Sequence, residues 1–247
     1  RADITSQISR IHSTYSNNEE VNRYCSFDHV VRTQNKESKG SRIPIQAGAE
    51  LIGASDIKNE AELVILMLDV VKKFTVKKIF LDLGHVGIFQ KLIDSANLNY
   101  EQKKRIKDLV KSKSSSEIKK YLNNIDVSND FKECISSFPM MHGSIKNIRK
   151  NLDQLKSFNI DIEKDIDYII NLGNLVGAEH DNVQIKYDFC ELQGFDYEND
   201  IIFSAYIEND SEEVALGGKY DCLENNTSGI GFSVDVRYLL KNQPVEK

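Results

Sequence analysis

Ten residues near the start of the chain alternate without a break. Ile43, Ile45, Ala47, Ala49 and Leu51 fall on one face of an extended segment, and Arg42, Pro44, Gln46, Gly48 and Glu50 on the other. Successive side chains of a strand point to opposite faces of its sheet. This pattern therefore asks for an antiparallel sheet with one face on a core and the other open. On the polar face Arg42, Gln46 and Glu50 recur every fourth residue, roughly 13 Å apart at about 3.3 Å per residue. A cation, an amide and a carboxylate in line can hold a small ligand with charges and hydrogen-bonding groups, such as an amino acid or a nucleotide. The same row also serves as an ordinary solvated strand face.

The rest of the chain sorts by period. Residues 2–15 place Ile4, Ile8 and Ile11 on one helical face, with Asp3 or Thr5 available as a cap. Arg23 to Thr33 reads as a strand and Asn35 to Ser41 as a polar loop. Asp56 to Phe74 is an amphipathic helix through Leu63, Leu66, Met67, Val70, Val71 and Phe74, capped by Ser55 or Asp56. Lys77–Leu83 is a buried strand and Val86–Ala96 a helix. Residues 100–176, rich in Lys, Ser, Asn and Ile, carry helical periodicity and hardly any strand signal. Strands return at Val183–Cys190, Asp200–Ile207 and Glu213–Leu216, where Gly217-Gly218 is expected to break the last one. Gly229-Ile-Gly-Phe-Ser reads as a turn before a short helix, Val234–Leu240. Strands, then helices, then strands again define an α+β fold: a mainly antiparallel sheet interrupted by a helical module. The division expected is 1–83 with 184–247 as the core and 84–183 as a mainly helical insertion.

Composition narrows the function. The 247 residues carry a net charge of −6 and a pI near 5.5, against the basic surplus that phosphate binding favours. Mean hydropathy is −0.42, and no apolar run approaches the roughly 18 residues of a membrane helix. The opening residues have no signal-peptide pattern, and Cys25, Cys134, Cys190 and Cys222 are widely spaced. A soluble cytoplasmic protein with reduced thiols is the expectation, with no membrane contact. Both ends read as interior sequence, so a piece of a longer chain is expected. His12, His29 and His85 have no partner at metal-ligand spacing, and no nucleophile elbow is present. No metal, cofactor or catalytic residue is expected.

Four motifs occur in order. Arg1-Ala-Asp-Ile-Thr, with Val31-Arg32 and Arg42-Ile-Pro-Ile-Gln-Ala-Gly-Ala-Glu-Leu-Ile-Gly, resembles the second signature motif of histidyl-tRNA synthetase-like proteins. Gln193-Gly-Phe-Asp-Tyr with Ile202-Phe203 is similar to that family's histidine-specific segment, and Gly217-Gly-Lys-Tyr-Asp and Gly231-Phe-Ser close the pattern. The resemblance spans essentially the whole chain. Within it, Leu81-Asp-Leu-Gly-His and Gly231-Phe-Ser-Val-Asp look most like the ATP phosphoribosyltransferase regulatory subunits of histidine biosynthesis. The resemblance implies a class II aminoacyl-tRNA synthetase-like antiparallel sheet flanked by helices. It also implies a non-catalytic partner of a short-form catalytic subunit that joins ATP to phosphoribosyl pyrophosphate, self-associated as a dimer, with L-histidine as feedback effector and no tRNA bound. The dimer-forming first motif would lie upstream of Arg1.

By the same resemblance, Asp3, Gln46, Glu50, Tyr197 and Tyr220 are histidine-binding positions, and Arg32, Arg42 and Gln193 are remnants of a nucleotide site. The departures separate regulator from synthetase. Gln193 stands where an arginine would neutralise charge during adenylation, and a neutral amide is a poor substitute for a preorganised cation. Glu198 replaces a tyrosine, Ile43 an acidic residue, and Tyr238 the adenine-stacking arginine, with Arg237 beside it. The alternatives are the catalytic core of a histidyl-tRNA synthetase and a synthetase-like interaction domain that binds no histidine.

Overall fold

The computed structural model describes residues 4–16, 20–32, 41–53, 56–155, 162–192, 198–222 and 227–243. Eight strands form one sheet: β1 (Asn22–His29), β2 (Ile45–Ile52), β3 (Ile79–His85), β4 (His142–Gly143), β5 (Val183–Asp188), β6 (Glu198–Ile207), β7 (Glu213–Asp221) and β8 (Ser228–Asp235). Their spatial order is β1-β2-β8-β7-β6-β3-β5-β4. Only β3 and β5 run parallel among the described pairings; the others are antiparallel. The helices are α1 (Thr5–Tyr15), α2 (Ile57–Lys72), α3 (Val86–Asp94), α4 (Tyr100–Lys111), α5 (Ser115–Leu122), α6 (Asn129–Ser137), α7 (Ile145–Leu155), α8 (Glu163–Glu179) and α9 (Val236–Lys241). The α+β class expected from the sequence is what forms.

The alternation of β2 settles which side is which. Ala49 and Leu51 join the main core with Leu63, Val64, Met67 and Leu68 of α2, while Ile52 packs with Ile4 and Ile8 of α1. Odd-numbered residues of β2 thus face α2 and even-numbered ones face α1. Asp56 caps α2 as expected, its carboxylate accepting from the Lys58 amide at 3.0 Å. The α2 face is rotated from the one the sequence suggests. Leu66 is 44% exposed, whereas Val64 and Leu68 are fully buried, because α2 packs on both the sheet and α8.

Three local expectations fail. Gly217-Gly218 does not break β7, which runs on to Asp221. A Cβ at Gly217 would sit 2.2 Å from the Gly231 carbonyl oxygen and 2.6 Å from the Phe203 ring, so the glycine permits close strand packing instead. Gly229-Ile-Gly-Phe-Ser is the body of β8 rather than a turn, and the helix after it begins at Val236 rather than Val234. Of the two proposed caps of α1, Asp3 lies outside the described residues and Thr5 is the first helical residue rather than the cap. Ile4 holds the cap position with no side-chain bond, and Thr5 points its hydroxyl elsewhere.

Candidate functional site

On the α1 side of the sheet, neighbouring strands bring Gln46, Glu50 and Tyr220 onto one surface. Glu50 is 5% exposed, yet both carboxylate oxygens are engaged: Thr5 Oγ1 donates to Oε1 at 2.7 Å and the Tyr220 hydroxyl to Oε2 at 2.8 Å. Charge-assisted bonds of this kind are roughly twice as strong as neutral ones and are what permit such burial. Gln46 Nε2 donates to Ser233 Oγ at 3.3 Å.

The space for these side chains is made by glycine. Gly231 is the register partner of Glu50, and a Cβ there would lie 1.7 Å from Glu50 Oε2. Gly229 is the partner of Tyr220, and a Cβ there would lie 2.7 Å from the phenol ring. Gly48 and Gly218 occupy the adjoining register positions. The result is a backbone floor that a ligand can approach closely, walled by a carboxylate, an amide and a phenol.

α1 closes one side. His12 is 1% exposed, its Nδ1 is hydrogen-bonded to the Tyr24 hydroxyl at 3.0 Å, and Tyr24 is the register partner of Glu50. Burial lowers the His12 pKa, so the ring is neutral at pH 7. Arg32 and Arg42 lie where the β1–β2 ladder continues past its formal ends. Bonds from Val30 N to the Pro44 oxygen (3.2 Å) and from Arg32 N to the Arg42 oxygen (2.9 Å) keep the register, so the two arginines are opposite one another. Arg42 is exposed, ahead of β2 rather than within it, and its Nε reaches the Arg32 carbonyl at 3.4 Å. Tyr238, in the adenine-stacking position by resemblance, is 8% exposed and donates to Asp210 at 2.7 Å. Asp3, Gln193 and Tyr197 lie outside the described residues. Thr5, Tyr24, Ser233 and the paired glycines were not singled out from sequence as ligand-site groups. Alternate glycines in β8 were the available signal, legible only once β8 is set against β2 and β7.

The same face also holds a small open cleft between β3, β6 and β7, lined among others by Asp82, Ser204, Tyr206, Glu213 and Leu216. None of the expected site residues among those described lines it. Burial and the charge of Asp188 raise the Asp82 pKa, partly offset by Lys186 and Lys113. A carboxyl whose folded pKa exceeds its unfolded one destabilises the fold above that value. Asp82→Asn should therefore raise thermal stability at pH 7, and the gain should shrink as the pH falls through the folded pKa. Melting curves at pH 7 and pH 4 check this.

Across the sheet from the Glu50 surface, Asp200 behaves in the opposite way. Burial works against its charge, but the bond from His85 Nε2 (2.5 Å) and the Lys219 ammonium (3.1 Å) outweigh it, and the pKa falls to about 2. The Asp200 contribution, roughly 2 kcal/mol by linkage, is complete above the ordinary aspartate range and lost as pH falls through about 2. Acid titration of stability should show this loss between about pH 4 and pH 2, and Asp200→Asn should flatten it.

A class II aminoacyl-tRNA synthetase-type sheet, with the candidate site on the face opposite the main helical layer, is the class these features define. The histidyl-tRNA synthetase family model matches residues 1–239, and the chain belongs to that family. Among curated relatives, proteins from Nitrosococcus oceani and Thioalkalivibrio sulfidiphilus, both named ATP phosphoribosyltransferase regulatory subunit, are 31% and 30% identical over 97% and 99% of this chain. The matches take in 61% and 64% of those proteins, so the chain spans less than two thirds of their length. Two solved structures share the fold at 19% identity. One is an ATP phosphoribosyltransferase regulatory subunit/histidyl-tRNA synthetase from Bacillus halodurans, with TM-score 0.81 over 99% of this chain and 64% of that one. The other is an ATP phosphoribosyl transferase complex from Thermotoga maritima, with TM-score 0.71 over 95% and 80%.

Proposed function

We propose that this chain is the synthetase-like core of an ATP phosphoribosyltransferase regulatory subunit, cytoplasmic and without catalysis of its own. In this reading it supports a short catalytic subunit in a hetero-oligomer, pairs with itself as a dimer, binds no tRNA, and takes L-histidine as feedback effector. Residues 84–183 are an insertion in the core. The observation that carries the reading is the Glu50 seat on its glycine floor. A buried carboxylate with two hydroxyl donors, an amide at Gln46 and a phenol at Tyr220 suit a small ligand bearing an ammonium and an imidazole. A carboxylate facing an imidazole favours one tautomer or the cation and rejects apolar isosteres. Asp3 and Tyr197 complete the site by resemblance, and Arg32, Arg42 and Gln193 are what is left of the nucleotide site. The names of the curated relatives support the same assignment.

Inhibition requires histidine to bind one state of the complex better than the other. The test is phosphoribosyl transfer to ATP by a short catalytic subunit, with and without the full-length protein, across a histidine titration. Stimulation that histidine then suppresses supports the proposal. Glu50→Gln should weaken that suppression about 10- to 100-fold, the worth of one charge-assisted bond, while leaving assembly intact. The retained Arg32 and Arg42 favour a second reading, the catalytic core of a histidyl-tRNA synthetase. It predicts histidine-dependent pyrophosphate exchange in place of any effect on phosphoribosyl transfer.

A further inference from the structure

Beneath the glycine floor runs a chain of polar side chains that the ligand site itself does not use. Glu60, on α2, has no exposed surface; it accepts from the Tyr168 hydroxyl of α8 at 2.7 Å and from Lys219 Nζ at 3.0 Å. Lys219 also reaches Asp200 on β6, and Asp200 accepts from His85, at the junction of β3 and α3. Five side chains from five elements, α2, α8, β7, β6 and β3, are thus tied together on the side opposite Tyr220.

Their placement bears directly on the ligand surface. Lys219 and Tyr220 are consecutive residues of β7, so one backbone carries the half-buried cation downward and the phenol upward. Asp200 lies where β6 slips against β7: Glu198 pairs with Tyr220 and Ile202 with Gly218, so four steps along β6 answer to two along β7. Irregular pairing of this kind loosens a ladder and re-aims side chains. Here the slip falls beside the Tyr220 rung, and the ion pair across it connects the two strands where backbone pairing is interrupted. Tyr220 has little tolerance for drift, because its ring already lies against Gly229 while its hydroxyl must meet Glu50.

We infer that Glu60, Lys219 and Asp200, braced by Tyr168 and His85, are positioning residues. They pin the β6–β7 slip from below and so hold Tyr220 in register over the glycine floor. This rests on the histidine reading only for the ligand; the mechanical claim concerns Tyr220 itself.

The test replaces the central pair together, Glu60→Gln with Lys219→Met, in the full chain. Removing both partners strands no charge at Glu60, while Asp200, a third exposed, keeps His85, and such swaps are often close to neutral in stability. Amide hydrogen exchange and histidine titration are measured beside the wild type. The expected result is exchange at Tyr220 and Glu198 at least tenfold faster, with the β1–β2 rungs unchanged, and histidine affinity about tenfold weaker at a melting temperature above that of Lys219→Met alone. Exchange at those two rungs equal to wild type overturns the proposal, whatever histidine does. A wild-type chain that binds no histidine removes the ligand reading alone, and the exchange comparison still decides the positioning role. If the paired replacement loosens every strand equally, the same comparison is made with the isosteric Asp200→Asn, where unchanged Tyr220 exchange again overturns it.

Discussion

Gly231→Ala should abolish the response to histidine, with an affinity loss of at least about 100-fold, although it adds a single methyl group. The added carbon would lie 1.7 Å from Glu50 Oε2 and 2.3 Å from its Cδ, well inside any real contact. Backbone cannot give way in the middle of an antiparallel sheet, where Gly231 pairs with Glu50 on one side and Gly218 on the other. The side chain must move, and moving it breaks the bonds from Thr5 and Tyr220 together. Charge-assisted bonds carry about 1.5–3 kcal/mol each, so losing the seat exceeds what Glu50→Gln alone removes. A displaced carboxylate left buried without donors also destabilises the fold. The companion variant separates clash from chemistry: Glu50→Ala with Gly231→Ala makes room for the methyl and should recover most of the melting temperature without recovering histidine binding. Titration calorimetry and thermal melts on the three variants decide it. Wild-type affinity in Gly231→Ala would sink the assignment of Glu50 to the ligand.

The same glycine shows where reading the sequence stops. The period-2 pattern of residues 42–51 requires no knowledge of any partner strand, since it reports which face each side chain takes, and β2 follows it with Glu50 and Gln46 on the expected side. The role of Gly229 and Gly231 is set by what lies opposite: Tyr220 on the neighbouring strand for Gly229, and for Gly231 a carboxylate 181 positions away in the chain. Without that pairing, two glycines two apart read as a turn. Thr5 failed similarly. Next to a helix start, a threonine is a natural cap, yet the helix begins one residue early, at Thr5 itself, and the hydroxyl donates to a buried carboxylate from β2.

Charge was the other blind spot. Glu60 stands in the first turn of α2, where an acid is ordinary surface furniture for a helix dipole, and Lys219 follows two glycines that suggest a loop. Nothing local marks either as buried. His85 was noticed for its place after Leu-Asp-Leu-Gly but had no partner in sequence, because Asp200 comes from a strand that joins β3 only in the sheet. The family resemblance named Gln46, Glu50 and Tyr220 together, and the sheet brings the three onto one surface. It could not reveal the layer that supports them, since that layer is defined by burial and distance.

That layer sets up the largest expected effect on stability. Lys219→Met should cost about 3 kcal/mol and lower the melting temperature by roughly 6–12 °C for a domain of this size. The mechanism is a stranded charge rather than a lost attraction. With Lys219 gone, Glu60 remains fully buried with only the Tyr168 hydroxyl, and Asp200 keeps only His85. The lower end of the usual 3–5 kcal/mol is expected because a fifth of the Lys219 side chain reaches solvent, which already softens the burial. Adding Glu60→Gln removes the orphaned carboxylate while keeping its volume and its capacity to accept from Tyr168. The double variant should therefore be more stable than the single one, regaining at least half of the loss. Urea and thermal unfolding of wild type, both single variants and the double close the cycle. Additive losses, with the double worse than either single, would mean that the two side chains act independently and that the ion pair is not what holds β7 to α2.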